Sequence, residues 1–544
     1  MTVASSEHIH QPVIEWGVLG ILLMLAGLEL WAILALDHGA VLYSLDDAYI
    51  HLKLAANLAA GHYGVNAGEA SSPSSSILWP LLLAPFATAR WFEWSPLGLN
   101  LLAAVGIARL IPRILSLALG PARTGAAVAF HVTAGALVLM QFNTIALVFV
   151  GLEHSLQVLL SVLAVLELFR VAEGASPRRW LWPVLVLGPL LRYENLTLTL
   201  ASLAWLWMMG HRRGALLALA SVVLLLAAFS LFLVASGLPP LPSSVLAKAG
   251  DPDFGGHVIS FLPRLFRSLA HTWSGRWFVL LGGLLLVFAA APGRRAERLL
   301  AVVLAAGLLV HLTFGSFGGF HRYEIYMLAA AFTATVLVHR ASIRAAFRVA
   351  PRVAGVATMV LLGVASIRSA VVTAATPLAV HELHRQQYLM GRFAREVLRA
   401  PVAVNDLGLV SFRNPYFVVD LWGLGSPKAL EARHAATDMA WADSLCRRHG
   451  VRVAMIYDPW FPPRPSTWTR VAELRFAPAS ELPVARSPLG GVARSVYGRG
   501  RNVVAANDRV SFYSLDPAHE PEVRAALERF RAELVEGAEL EILR

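Results

Sequence analysis

Apolar runs recur along the chain near residues 13–36, 76–91, 97–119, 124–142, 145–169, 181–191, 195–210, 214–236, 276–291, 299–313, 325–338 and 353–375, and then stop. A membrane-spanning helix needs about 20 apolar residues, so the pattern predicts a polytopic α-helical membrane protein of about 11–13 transmembrane helices. The first run, Val13 to Leu36, is longer than the apolar part of a signal peptide, and no small-residue cleavage site follows it. It reads as a retained anchor helix.

The polar positions between the runs carry the topology. Arg170, Arg178 and Arg179 form one cluster, Arg212 and Arg213 a second, Arg294, Arg295 and Arg298 a third, and Arg340, Arg344, Arg348 and Arg352 a fourth. Short loops rich in Lys and Arg stay in the cytoplasm. The opposite face then receives loop 37–75, Glu153, Arg192, loop 237–275, residues 314–324 and everything after 375. Alternation demands an odd number of crossings between 92 and 145, where hydropathy offers two runs. Either one run is re-entrant or a short crossing lies at Phe142–Val150.

After residue 375 the pattern changes. A charged helix from His384 to Arg399 leads to predicted strands at Val402–Asp406, Tyr416–Asp420, Val451–Tyr457 and Val510–Leu515, with helices near 436–449 and 519–536. The expected organisation is a transmembrane bundle over 1–380, with a large first outer loop at 37–75, followed by an extracytoplasmic soluble α/β domain over 381–544.

Composition agrees: 57% of residues are hydrophobic and 15% charged, against about 25% charged in soluble proteins. The net charge of +11 falls largely in short loops. It reads as topology, and no nucleic-acid partner is expected. The single Cys446 rules out an intramolecular disulfide and a cysteine metal cluster. No phosphate-binding Gly-rich loop and no serine nucleophile elbow is present, which argues against nucleotide-driven transport and serine hydrolysis.

Asp46-Asp47 follows the first run. Adjacent carboxylates repel, and a membrane boundary removes water, so one acid is held proton-bearing more easily and suits a general base. The competing role is capping of a loop helix from Ala48 to Ala60. Glu153-His154 and Arg192-Tyr193-Glu194 fall on the same expected face, where charges pair or line a wet cavity. Ser243, Ser244 and Lys248 follow a Pro-rich turn, and Arg322-Tyr323 precedes a later run. Lys and Arg bind phosphate as a point charge and as a fork. The Ser71–Ser76 patch reads as a flexible loop re-entering the membrane. Glu29, inside the first run, is expected to make a hydrogen bond toward the bundle. His381 and His384 have helical metal-ligand spacing without an apparent third ligand, so no metal site is expected there.

The order of these motifs resembles the C superfamily of membrane glycosyltransferases, nearest in pattern to bacterial arabinofuranosyltransferase-like enzymes. Asp46-Asp47-Ala48-Tyr49-Ile50, Leu78-Trp79-Pro80, Gly151-Leu152-Glu153, Arg192-Tyr193-Glu194, Pro242-Ser243-Ser244 with Lys248, Arg322-Tyr323 and the tail segments Val404–Gly408 and Asp420–Leu424 carry it. The chain departs at Leu152 in place of Met, at Tyr193 in place of Pro, and in a Ser-rich first loop; no charged group is lost. The resemblance implies an inverting transferase in the bacterial plasma membrane, with a polyprenyl-phosphate sugar as donor and a hydroxyl of a glycan, lipid or protein acceptor on the outer face. Asp46 is the implied base and Asp47 an orienting acid. Lys248, Arg192 and Arg322 would hold the donor phosphate, with Glu153, His154, Glu194, Tyr49, His51, Ser243, Ser244 and Tyr323 supporting. No cofactor is required; a divalent cation could sit beside Asp46 and Asp47, but a monophosphate donor does not need one. The alternatives are a lipid-linked sugar flippase and a membrane-anchored cell-wall glycan-binding protein.

Overall fold

The computed structural model describes residues 11–37, 39, 42–249, 265–266, 268–269, 272–435, 438–461, 464–476 and 509–544. The chain opens with α1 (Gln11–Leu36), a loop helix α2 (Asp47–Ala59) and a short α3 (Leu78–Leu83). There follow α4 (Ser95–Leu119), α5 (Gly125–Gln141), α6 (Thr144–Val150), α7 (His154–Ala172), α8 (Leu181–Leu191), α9 (Leu196–Met208) and α10 (Arg212–Ala235). After α11 (Ser243–Ala249) come α12 (Trp273–Ala290), α13 (Arg295–Phe314), α14 (Ile325–Val338), α15 (Arg340–Val349) and α16 (Pro351–Leu383).

Among the described residues, eight helices are long and apolar enough to cross a membrane, or nine if the bent pair α14 and α15 is one span. The larger number read from hydropathy includes α8, α9 and α14, of 11, 13 and 14 residues. It also includes run 76–91, which folds as α3 and a turn at Ala84–Phe86. Pro85 lacks the amide hydrogen a continuous helix needs there, whereas Pro80 sits in the first turn of α3, where none is needed. With that run too short to cross, the required odd crossing between 92 and 145 disappears. Phe142–Val150 makes no crossing of its own either: α5 and α6 form one path, broken only at Asn143, whose φ of 54° is left-handed.

The bundle has two chemically distinct ends. At one, Arg340 reaches Glu173 at 3.2 Å and Glu297 at 3.1 Å, Arg294 donates to the Glu173 carbonyl, and Arg344 donates to that of Leu117. The third and fourth arginine clusters therefore meet at Glu173, three residues beyond Arg170 of the first. At the other end lie loop 42–77, the turns at Arg192 and Arg322, and the tail.

α16 continues through π turns to Leu398 and delivers the chain to β1 (Val402–Val404). The rest of the tail comprises α17 (Gly408–Ser411), β2 (Val418–Asp420), α18 (Pro427–Ala435), α19 (Ala440–Arg448), β3 (Val453–Ile456), β4 (Thr469–Phe476), β5 (Arg509–Ser514), α20 (Glu520–Arg531) and β6 (Ala538–Ile542). One six-stranded sheet has the order β2-β1-β3-β5-β4-β6, parallel across β2, β1 and β3 and antiparallel thereafter. β4 and β6 carry charges within short alternating stretches, which hid them from the sequence pattern.

The first loop and the tail share one core. Ile50 and Val65 are buried with Leu389, Val404, Leu407 and Val410. Asn66 accepts from Val418 N and donates to Val418 O, both at 2.9 Å, so its side chain pairs with β2 as a short strand would.

Candidate active site

At the end opposite the arginine clusters, a cavity of about 220 Å³ opens between the bundle and the tail. α2 lines it with Asp47 and His51, the Ser-rich loop with Ser75, the α8–α9 turn with Arg192, α11 with Ser244, and the turn before α14 with Arg322 and Tyr323.

Each group is positioned by local structure. Asp47 and His51 are one helical turn apart on α2, so they share a face. Gly151 has φ 74°, and a Cβ there would lie 2.6 Å from the Tyr43 ring; only glycine lets the chain turn here and bring Glu153 inward. Arg192 sits where α8 stops, in extended backbone, and bonds Glu153 at 3.1 Å, Glu194 at 2.8 Å and Ser75 Oγ at 2.8 Å. Arg322 follows left-handed Phe320 and His321, whose carbonyls are held by Asn143 Nδ2.

Arg322 is 6% exposed and spends only Nη2 within the protein, at 2.8 Å from both Asp47 Oδ2 and the Tyr323 hydroxyl. Its Nε and Nη1, and the Ser244 hydroxyl, are buried without a hydrogen-bond partner. Leaving charged donors unsatisfied in a protein interior is costly, so such groups mark a place for an anion. The Tyr323 ring lies under both cations, 4.8 Å from the Arg322 guanidinium and 5.4 Å from that of Arg192. Burial holds the His51 imidazole below its ordinary pKa, against the pull of Glu153 and Asp47. It is a neutral group, 3.2 Å from Ser74 Oγ.

The two acids part company. Asp47 is 45% exposed and lines the cavity. Asp46 is not among the lining residues: its Oδ2 accepts from Gly408 N at 2.6 Å and its Oδ1 from Leu409 N at 2.8 Å. Burial, then the neighbouring Asp406 charge, push Asp46 up to about 8 despite these two amides. Asp406 is raised too, by burial first, although Tyr457 OH at 2.6 Å and Gln387 Nε2 at 2.8 Å bond its Oδ2. The capping role expected for one acid exists, but Asp46 caps α17 of the tail and not α2, where it makes no side-chain cap. At the acid pair, two backbone amides bond the Asp46 carboxylate and one guanidinium nitrogen of Arg322 meets Asp47 Oδ2. Among the described residues no group of three His, Cys, Asp or Glu side chains is arranged to hold a metal.

Other expected residues fall elsewhere. Tyr49 is buried between Tyr43 and Phe412, and its hydroxyl accepts from Tyr43 N. Ser243 donates its amide to the Ser72 carbonyl and does not line the cavity. Glu194 serves Arg192, and buried His154 packs edge-on against Tyr323. Lys248 lies in α11, but its side chain is outside the described residues. The Ser71–Ser76 patch is built in: Ser71, Ser72, Ser74 and Ser76 are buried, and Ser71, Ser74 and Ser76 accept hydrogen bonds from the backbone. The expected flexible loop is therefore a fixed wall. Glu29 Oε2 is buried without the hydrogen bond expected of it. His381 and His384 do meet a carboxylate, Asp37 Oδ1, at 2.8 and 3.0 Å. Ser75, Trp422 and Leu424 line the cavity, though the sequence pattern gives them no site role. The tail motif Asp420–Leu424 was the signal for the last two.

Residues 379–513 match the model of a domain of unknown function, DUF8728. No curated protein matches the chain. Two solved structures resemble it. The oligosaccharyltransferase of Archaeoglobus fulgidus, in its apo form, shares 12% identity and a TM-score of 0.46, over 86% of this chain and 73% of that one. ArnT from Cupriavidus metallidurans, also apo, shares 13% identity and a TM-score of 0.37, over 92% of this chain and 98% of that one. Both TM-scores lie below 0.5, so neither likeness bears on the chemistry of this chain.

Proposed function

We propose that this protein is an inverting membrane glycosyltransferase of the C-superfamily type, moving a sugar from a polyprenyl-phosphate donor to an acceptor hydroxyl. The observation that carries the proposal is Arg322: one guanidinium nitrogen holds Asp47, while Nε and Nη1 are buried without a hydrogen-bond partner. A lipid phosphate is a good leaving group, so the protein must neutralise the charge that builds on it and remove a proton from the acceptor. Arg322 and Arg192 serve the phosphate, with the Ser244 hydroxyl beside them.

Asp47 takes the base role that the sequence resemblance assigned to Asp46. It reaches the cavity, and its neighbour, favoured in the neutral form, does not compete for the acceptor proton. The C–O bond to the phosphate breaks as the acceptor oxygen attacks from the opposite face, and Asp47 accepts the hydroxyl proton. No step runs through a metal. The arginine-rich end belongs in the cytoplasm of a bacterial plasma membrane and the cavity, with residues 381–544, on the outer side. An arabinofuranosyl or another pentosyl or hexosyl donor, and a glycan or glycolipid acceptor, fit this reading.

Mass analysis of lipid copurifying with the protein tests it. A polyprenyl phosphate carrying a sugar, converted to bare polyprenyl phosphate when acceptor glycans are added, is the expected result. Movement of the intact lipid across proteoliposomes without a new glycosidic bond would make the protein a flippase instead.

A further inference from the structure

The tail reaches into the acid pair at one glycine. A Cβ on Gly408 would lie 2.0 Å from the Asp46 carbonyl oxygen and 2.7 Å from its carboxylate oxygen. Backbone cannot yield at that distance, so only glycine admits Asp46 to the amides of Gly408 and Leu409. The segment delivering those amides is itself pinned. Asn405 Oδ1 accepts from Tyr457 N at 2.8 Å, Asp406 is bonded to Gln387 and Tyr457, and Leu407 and Val410 are buried with Ile50 and Val65. On the other side of the contact, Asp46 immediately precedes α2. The first residue of that helix is Asp47, and the next turn carries His51.

We infer that Gly408 is a positioning residue for transfer: by receiving Asp46 it fixes the first turn of α2, and so holds the Asp47 carboxylate in the cavity. The tail is then part of the catalytic unit and not a separate binding module. This rests on Asp47 being the base. A carboxylate displaced by even 1 Å loses much of its effectiveness, on the order of 10²-fold for comparable misplacements.

The full-length protein with its copurified lipid-linked sugar provides the test, in three variants: Gly408→Ala, Asp46→Asn and the double. Asp46→Asn adds no bulk and replaces one acceptor oxygen by an NH₂ group that faces an amide hydrogen, so it carries the test if Gly408→Ala fails to fold. Each single variant should lower kcat by about tenfold or more, with KM for the donor within about twofold. The double should be no slower than the worse single, because both substitutions break one contact. Wild-type kcat in Asp46→Asn, or losses that multiply in the double, would overturn the inference. Asp47→Asn separates the two levels. If it abolishes turnover while the clamp variants turn over normally, only the clamp is wrong; if it turns over normally, the base assignment is wrong.

Discussion

Asp47 and Arg322 stand 275 positions apart in the chain, and their side chains meet at 2.8 Å across the candidate cavity. The pair joins loop 42–77 to the turn before α14, and on the proposed reading it sets a proton acceptor beside a phosphate ligand. Replacing Asp47 by Asn keeps the shape and removes the base. Turnover should fall by about 10² to 10⁴ while the donor still binds. Single-turnover measurements on the copurified lipid would show this, and an unchanged rate would remove Asp47 from the reaction.

Arg322→Lys keeps the charge but loses the fork that can hold Asp47 and a phosphate together. Transfer should drop by about 10² or more. Binding of bare polyprenyl phosphate, followed by native mass spectrometry, should weaken in parallel. Equal binding by the wild type and the lysine variant would place the phosphate elsewhere.

Asp46 gives a pH dependence with a defined sign. Its folded pKa is raised from 3.8 to about 8. The fold therefore favours the neutral acid, and the stabilisation is fully present below the unfolded value and lost as pH rises through the folded one. Between pH about 4 and about 8, wild type should lose thermal stability relative to Asp46→Asn. Melting temperatures in detergent across that range check it; a constant gap would contradict the raised pKa.

Asp37 ties the end of α1 to α16 through His381 and His384. Asp37→Ala leaves two buried imidazoles without this acceptor and should cost about 1–3 kcal/mol. A lower melting temperature with transfer kinetics unchanged is expected. Loss of activity at full stability would instead draw this trio into the chemistry.

Much of this was readable in the chain itself. Long apolar runs gave the helices because period and length act locally, and four of the six strands carry the β-branched runs that announce them. Asp47, Arg192 and Arg322 stood out because charge at membrane depth needs a reason. The division of labour between Asp46 and Asp47 was not readable, since it depends on the Gly408 amide, a contact made 362 positions away. Trp422 and Leu424 lie in a tail motif legible in the sequence, but their place in the cavity was not readable, because it is set by how the tail docks. Run 76–91 misled because hydropathy registers apolar content and not the proline, Pro85, at which the helix stops.

The short helices α8 and α9 bear on the bilayer itself. At about 1.5 Å per residue they span roughly 17 and 20 Å, against a hydrocarbon thickness of about 30 Å. Such hydrophobic mismatch is relieved by local thinning of the lipid. The turn between them carries Arg192, so in the proposed orientation the floor of the cavity would lie below the ordinary level of the outer headgroups. A phosphate on a long isoprenoid anchor can then meet Arg192 without being lifted out of its leaflet. In the proposed orientation the protein would bring the membrane surface down to its arginine.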